Sequence, residues 1–347
     1  MEKDTVFTRT ILAWYKEFGR DLPWRRTRDP YAIWLSEVIL QQTRIAQGMD
    51  YWIRFMERFP TVESLAAASE DEVLRHWEGL GYYSRARNLH AAARQIMSLG
   101  AFPETLEGIR ALKGIGDYTA AAIGSIAFGL DAAVVDGNVY RVLSRYYGID
   151  TPIGTTAAKK EFTALAQSLL PEGRAGDFNQ GVMDFGAIQC SPQSPACLTC
   201  PLAERCEALR TGRVELLPVK KAGPAIQDRY LTCLYLRCDG QTAIRRRPPG
   251  SIWQGLWEPF LIEHADASRA EPWPAWAKAG NRVPLRTGVK HQLTHRTLHA
   301  DFYLCETGTP PALPEGFIWI PEADLERYAK PRLFELLLNE LNKSHIQ

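Results

Sequence analysis

Neither sign of charge is in excess in this chain: 41 Lys and Arg stand against 40 Asp and Glu, a net charge of +1 over 347 residues. Global electrostatics therefore gives no sign of a polyanionic partner, and any nucleic-acid surface has to arise from local clustering. The opening Met1-Glu2-Lys3-Asp4 lacks the apolar stretch of a signal peptide, and no run is long enough to span a bilayer. A soluble, intracellular protein with no membrane partner is expected. Internal repeats and low-complexity tracts are also missing. Cysteine is scarce: of 7, four crowd one short segment and three are scattered through the last third. That is no secreted disulfide framework, and it fits a reducing cytosol.

What is present is enough apolar sequence, 46% of the chain, to bury at least two separate cores, so two or three domains are predicted. From Thr5 to about Leu209 apolar residues recur at helical spacing, broken by Gly and Pro, which reads as an all-α region. The stretch Leu216-Leu217-Pro218-Val219-Lys220-Lys221-Ala222-Gly223-Pro224 has no period and the composition of a linker. Beyond it, Tyr230–Leu236 and His299–Leu304 have strand composition, and a helix is predicted near Arg332–Leu341. The last third is expected to be α+β.

Two constellations carry chemistry. Cys190, Cys197, Cys200 and Cys206 form C-x6-C-x2-C-x5-C, close enough to converge on one centre, and four thiolates hold either zinc or a four-iron, four-sulfur cluster. Cys233, Cys238 and Cys305 lack metal spacing and are expected in the core. The second is Leu112-Lys113-Gly114-Ile115-Gly116-Asp117-Tyr118-Thr119-Ala120, in which two glycines separate two helical patterns. Gly114 and Gly116 permit positive φ and a close backbone approach, and the following helix offers unpaired N–H groups. Such a turn either grips a phosphate without reading sequence or is an ordinary tight αα-turn.

The hairpin, the run Val134-Val135 into Asp136-Gly137-Asn138, and the four-cysteine loop together resemble the helix-hairpin-helix DNA glycosylase superfamily over about the first two-thirds of the chain. Within it, Trp34-Leu35-Ser36-Glu37-Val38-Ile39-Leu40-Gln41-Gln42-Thr43 and Gly79-Leu80-Gly81-Tyr82-Tyr83-Ser84-Arg85 look like the adenine DNA glycosylase branch. The resemblance implies a multidomain fold: an all-α catalytic region over 1–215, a connector over 216–228 and an α+β Nudix-like lesion-recognition domain over 229–347. The catalytic region would comprise a helix-hairpin-helix subdomain over about 25–135 and an iron–sulfur subdomain from 1–24 and 136–215. It further implies a [4Fe-4S] cluster on the four cysteines, and a monomeric, bacterial cytoplasmic enzyme acting on the chromosome. The substrate would be double-stranded DNA with adenine opposite 8-oxoguanine or guanine. Strand-cleaving relatives of the endonuclease III type carry a Schiff-base lysine after the hairpin, where this chain has Tyr118, so base removal without efficient strand cleavage is expected.

Asp29-Pro30 reads as an N-cap and first helical position, opening a helix that runs through Glu37. There Glu37 neighbours Trp34, Val38 and Gln41, a mostly apolar strip that would desolvate its carboxyl and suit it to general-acid work, although most helix glutamates are solvated. Asp136 reads locally as a helix N-cap, and the resemblance adds catalysis. Breaking an N-glycosidic bond needs one carboxyl to protonate the base and another to stabilise the sugar cation, the roles the resemblance implies for Glu37 and Asp136, with Tyr118 and Asn138 orienting the site. Gln42 and Tyr82 match elements that fill the gap left by a flipped base; a core aromatic is the other reading of Tyr82. In the last third, Arg245-Arg246-Arg247 and Gly255-Leu256-Trp257-Glu258 resemble the Nudix-related domain. Its metal-binding acidic cluster is not recognisable, so no nucleotide pyrophosphatase activity is expected. Leu293-Thr294-His295 matches the lesion-reading loop, with Leu and Thr where the family commonly has an aromatic and Ser; Thr294 and His295 are the expected lesion contacts. A thymine glycosylase for G·T mismatches shares the hairpin, but Glu37 argues against it; retention of both carboxyls argues against an inert DNA-binding protein.

Overall fold

The computed structural model describes residues 4–221, 226–269, 272–277 and 281–344. Met1-Glu2-Lys3 and the Ala222-Gly223-Pro224 end of the linker stretch lie outside them. Packing divides the chain into two compact units, Met1–Ala67 with Asn88–Ala222, and Ala68–Arg87 with Gly223–Gln347. The segment 68–87 thus groups with the C-terminal third, although its sequence belongs to the helical run.

The chain up to Arg210 is helical: α1 Thr5–Phe18, α2 Pro30–Leu40, α3 Ile45–Arg58, α4 Val62–Ala67, α5 Glu70–Trp77, α6 Ser84–Leu99, α7 Leu106–Ala111, α8 Asp117–Ala127, α9 Gly137–Tyr147, α10 Thr156–Leu169, α11 Ala175–Ile188 and α12 Glu207–Arg210. The Asp29 side chain accepts from the Tyr31 N–H and Pro30 opens α2, the start expected from sequence. Tyr31 to Ser36, Val38 and Ile39 are all buried, so α2 is an interior helix rather than an amphipathic one. In the first unit, Phe7, Ile11 and Trp14 of α1 pack with Val139 and Leu143 of α9, Phe162 of α10 and Phe178 and Phe185 of α11 in one core. None of the described helices is long and apolar enough to cross a membrane.

The second unit holds a mixed seven-stranded sheet of β1 Gln227–Cys238, β2 Gln241–Arg246, β3 Trp257–Glu258, β4 Phe260–His264, β5 Arg282–Gln292, β6 Arg296–Glu306 and β7 Phe317–Pro321. The order is β3-β2-β1-β6-β5, with β4 paired to β1 and β7 to β2. β1 and β6 are parallel from Gln227↔Arg296 to Arg237↔Glu306, and the other pairings are antiparallel. Alternate residues of β1 feed two cores, as a two-residue period requires. Leu231, Cys233 and Tyr235 pack with Leu333, Phe334 and Leu337 of α13 (Arg332–Ser344), while Leu234 and Leu236 pack with Ala243 and Cys305. Cys233, Cys238 and Cys305 are all buried.

Candidate active site

Three elements of the first unit bring carboxyls and their partners to one cavity of about 750 Å³, whose lining includes Glu37, Tyr118, Asp136, Asn138 and Gln42. Glu37 enters from the last turns of α2, and the Tyr118 hydroxyl, one residue into α8, donates to its Oε2 at 2.8 Å. Burial raises the Glu37 pKa from 4.5 to about 7; the Tyr118 hydrogen bond and Arg25 pull it down, and the Asp136 charge pushes it up. Asp136 caps α9: its Oδ1 accepts from the Val139 N–H at 2.8 Å and its Oδ2 from Asn138 Nδ2 at 2.8 Å. Burial raises its pKa as well, against the pull of those donors and of Arg141. Capping and exposure to the cavity therefore coexist at Asp136.

Asn138 is fixed from behind. Its Oδ1 accepts from Arg141 Nη2 at 2.8 Å, and the same guanidinium donates to the carbonyls of Gly186 at 2.7 Å and Cys190 at 2.8 Å. The next cation along α9, Arg145, is 3% exposed; it donates to the Ser191 carbonyl at 2.8 Å and to Cys190 Sγ at 3.4 Å. The cysteine loop is thereby pinned to α9. Cys190, Cys200 and Cys206 are partly buried against the core of the first unit, and burial pushes the Cys200 thiol up to about 11. Among the described residues, no three His, Cys, Asp or Glu come close enough together to hold a single metal ion.

Sequence reasoning missed a second set. Arg20 and Arg25, before α2, both line the cavity and both bind Asp184 of α11, whose side chain is 0% exposed. Asp184 receives the Arg20 N–H at 2.9 Å, Arg20 Nε at 2.9 Å and Arg25 at 2.6 and 2.8 Å. Burial works against the Asp184 carboxylate, yet the Arg25 and Arg20 hydrogen bonds outweigh it and hold its pKa below the ordinary value. No local signal could have found this set, because the partners lie 159 to 164 residues apart.

The remaining predicted residues lie elsewhere. Gly114 turns the hairpin between α7 and α8 at φ +78°, and a Cβ there would come within 2.5 Å of Asn88 Cβ. Gly114→Ala is therefore expected to cost about 1–3 kcal/mol, read as a fall in the urea midpoint; an unchanged midpoint would show that the turn tolerates a side chain. Gly116 caps α8 at φ −97° and faces open space. The charge of neighbouring Asp117 is countered by Arg110 at 2.9 Å and Lys159 at 2.5 Å. Gln42 follows α2 in a left-handed conformation, φ +58°. In the second unit, Tyr82 also has positive φ, +47°, and is 44% exposed, so it is not a core aromatic. Its hydroxyl is hydrogen-bonded to Thr294 Oγ1. Thr294 and His295 are exposed in the tight connection between β5 and β6, where Leu293 N–H donates to the Arg296 carbonyl at 2.8 Å.

Residues 35–171 match the family model described as HhH-GPD superfamily base excision DNA repair protein, and residues 232–340 match the NUDIX domain. Rat (Rattus norvegicus) adenine DNA glycosylase is 44% identical over 228 residues, 62% of this chain and 44% of the rat protein. The adenine DNA glycosylase of Buchnera aphidicola subsp. Acyrthosiphon pisum is 34% identical over 98% of both chains. Among solved structures, a thermostable thymine-DNA glycosylase is 33% identical with a TM-score of 0.54, covering 59% of this chain and 96% of that one. The chain thus joins a helical region of the HhH-GPD superfamily to a Nudix-like domain. The chain belongs to the adenine DNA glycosylase family. It spans less than half the length of the mammalian relatives it matches.

Proposed function

We propose that the protein is a monofunctional glycosylase that hydrolyses the N-glycosidic bond of adenine opposite 8-oxoguanine or guanine in double-stranded DNA. The observation that carries this reading is a pair of carboxyls in one cavity, both raised by burial but differing in the donors that hold them. Glu37, with a pKa of about 7, still holds a proton near neutrality and suits a general acid. Asp136 accepts two hydrogen bonds that favour its ionised form. As the C1′–N bond breaks, its electron pair leaves with the purine, which takes the Glu37 proton; the Asp136 carboxylate offsets the positive sugar. Water then adds to C1′, and its proton returns to Glu37. Tyr118 holds the acid by its hydroxyl, and a phenol at that position cannot form a Schiff base, which supports base removal without strand cleavage.

Flipping the adenine costs a few kcal/mol of stacking and pairing, and Gln42 and Tyr82, both held at positive φ, would fill the gap. Gly114 and Gly116 would bring backbone N–H groups to a phosphate, and Thr294 and His295 would meet the 8-oxoguanine. Cys190, Cys197, Cys200 and Cys206 would each give one thiolate to a [4Fe-4S] cluster, which supplies a tie across the loop and a redox couple. Thiols raised by burial ionise readily only beside a compensating cation, and Arg145 already reaches Cys190 Sγ at 3.4 Å. The likeness to the thymine-DNA glycosylase favours thymine excision as a second reading, but that match stops at 59% of this chain, whereas the adenine relative extends through the C-terminal unit.

Because the acid must be protonated, single-turnover excision from an A·8-oxoG duplex is expected to fall about tenfold per pH unit once the pH rises above about 7. Borohydride should trap no covalent adduct. A flat profile between about pH 6 and 9, or a robust adduct, would overturn the assignment of Glu37 or of Tyr118 respectively.

A further inference from the structure

Asp184 is a buried carboxylate that the chemistry proposed above does not use, and it makes more hydrogen bonds than either carboxyl of the reacting pair. We infer that Asp184 is a positioning residue for the reaction: from the interior of α11 it holds the Arg25 guanidinium in the wall of the cavity that contains Glu37. The inference rests on the glycosylase reading for its consequence, but its geometry is independent of it. Asp184 is fully buried and binds Arg25 through both guanidinium nitrogens, at 2.6 and 2.8 Å, and Arg20 through backbone and side chain. Arg25 adds a further tether, Nη1 to the Arg20 carbonyl at 3.1 Å. Such forked, charge-assisted contacts fix a guanidinium far better than one bond to a neutral acceptor.

The groups acting on Glu37 are Tyr118 from α8, Asp136 from the cap of α9 and Arg25 from the turn before α2. Arg20 and Arg44 also line the cavity, and Arg20 is already paired with Asp184. Tyr118 and Arg25 are the two groups that favour the Glu37 carboxylate, and Arg25 is the weaker. An asparagine at 184 keeps the shape but has one acceptor oxygen for the donors that now converge there. Arg25 would then leave its place, and Glu37 would bind its proton more tightly.

The test follows the Glu37 titration in wild type, Asp184→Asn, Arg25→Met and the double variant by two readings. One is the alkaline limb of single-turnover adenine excision. The other, which needs no DNA, is the pH at which the stability difference from the matching protein carrying Glu37→Gln stops growing, since that difference opens at the pKa of the unfolded chain and levels off at that of the folded one. Both single variants should move both readings upward by about half a pH unit, since a nearby cation lowers a carboxyl's pKa. The double variant should move no further than Arg25→Met alone, and Asp184→Glu should recover part of the shift. An unmoved titration in Arg25→Met, or an Asp184→Asn shift that adds to the Arg25→Met shift, would overturn the inference. Should Asp184→Asn fail to fold, Arg25→Met alone decides. Stability readings that shift as expected in proteins that excise no adenine would sink the glycosylase reading and leave the Asp184 linkage standing.

Discussion

Glu37→Gln is expected to lower single-turnover excision of adenine by a factor on the order of 10²–10⁴, the usual contribution of a positioned general acid, while duplex binding stays within about threefold of wild type. Glutamine keeps an oxygen for the Tyr118 hydroxyl, so the bond that orients residue 37 survives and only the transferable proton is lost. The same variant carries a second, opposite signature in stability. Burial raises the folded pKa of Glu37 from 4.5 to about 7, so its contribution is fully present below about pH 4.5 and is lost as the pH rises through 7. Above that range the folded protein holds an ion it solvates poorly, a penalty of about 3 kcal/mol at roughly 1.4 kcal/mol per pH unit. Glu37→Gln should therefore melt higher than wild type at pH 8, with the gain vanishing below the unfolded-chain pKa of 4.5. A variant that loses activity and stability together at pH 8 would show that Glu37 supports the fold rather than the reaction.

Asp136→Asn separates capping from chemistry. Asparagine caps a helix as well as aspartate does, so the Val139 N–H keeps its acceptor. The loss falls on the other oxygen, where Asn138 donates at 2.8 Å. An amide there sets donor against donor, and Asn138 cannot turn without giving up its own bond from Arg141. That mismatch should cost about 1–2 kcal/mol of stability, whereas excision should fall by a factor on the order of 10³ or more, because no carboxylate remains to offset the sugar charge. Excision within about tenfold of wild type, with the stability loss as expected, would reduce Asp136 to a cap.

Much of this arrangement was legible in the sequence because the relevant signals are local. Asp29-Pro30 marks the start of α2, the two glycines mark the hairpin, and the tyrosine after them sits one residue into α8. Asp136 read as an N-cap is one; its second face becomes visible only when α2 and α8 bring Glu37 and Tyr118 to the same cavity. The C-terminal sheet showed in the apolar runs of β1 and β6, though not their parallel pairing, which depends on chain segments some 70 residues apart. What stayed hidden is polar and distant. Arg20, Arg25 and Asp184 carried no signal in the sequence, because only the fold joins them, across more than 150 residues. Arg141 and Arg145 carried no signal in the sequence, yet both are buried and bind the carbonyls and sulfur of the cysteine loop. The grouping of 68–87 with the C-terminal unit was hidden for the same reason: Tyr82 meets Thr294, and Arg87 donates to the Gln254 carbonyl at 2.5 Å.

The central claim is tested most directly by single-turnover excision on four otherwise identical duplexes, with A opposite 8-oxoguanine, A opposite G, A opposite T and T opposite G, each read with and without alkali. Cleavage at adenine that depends on alkali and is fastest opposite 8-oxoguanine is the predicted result. Cleavage at thymine, or strand scission at adenine without alkali, would contradict it.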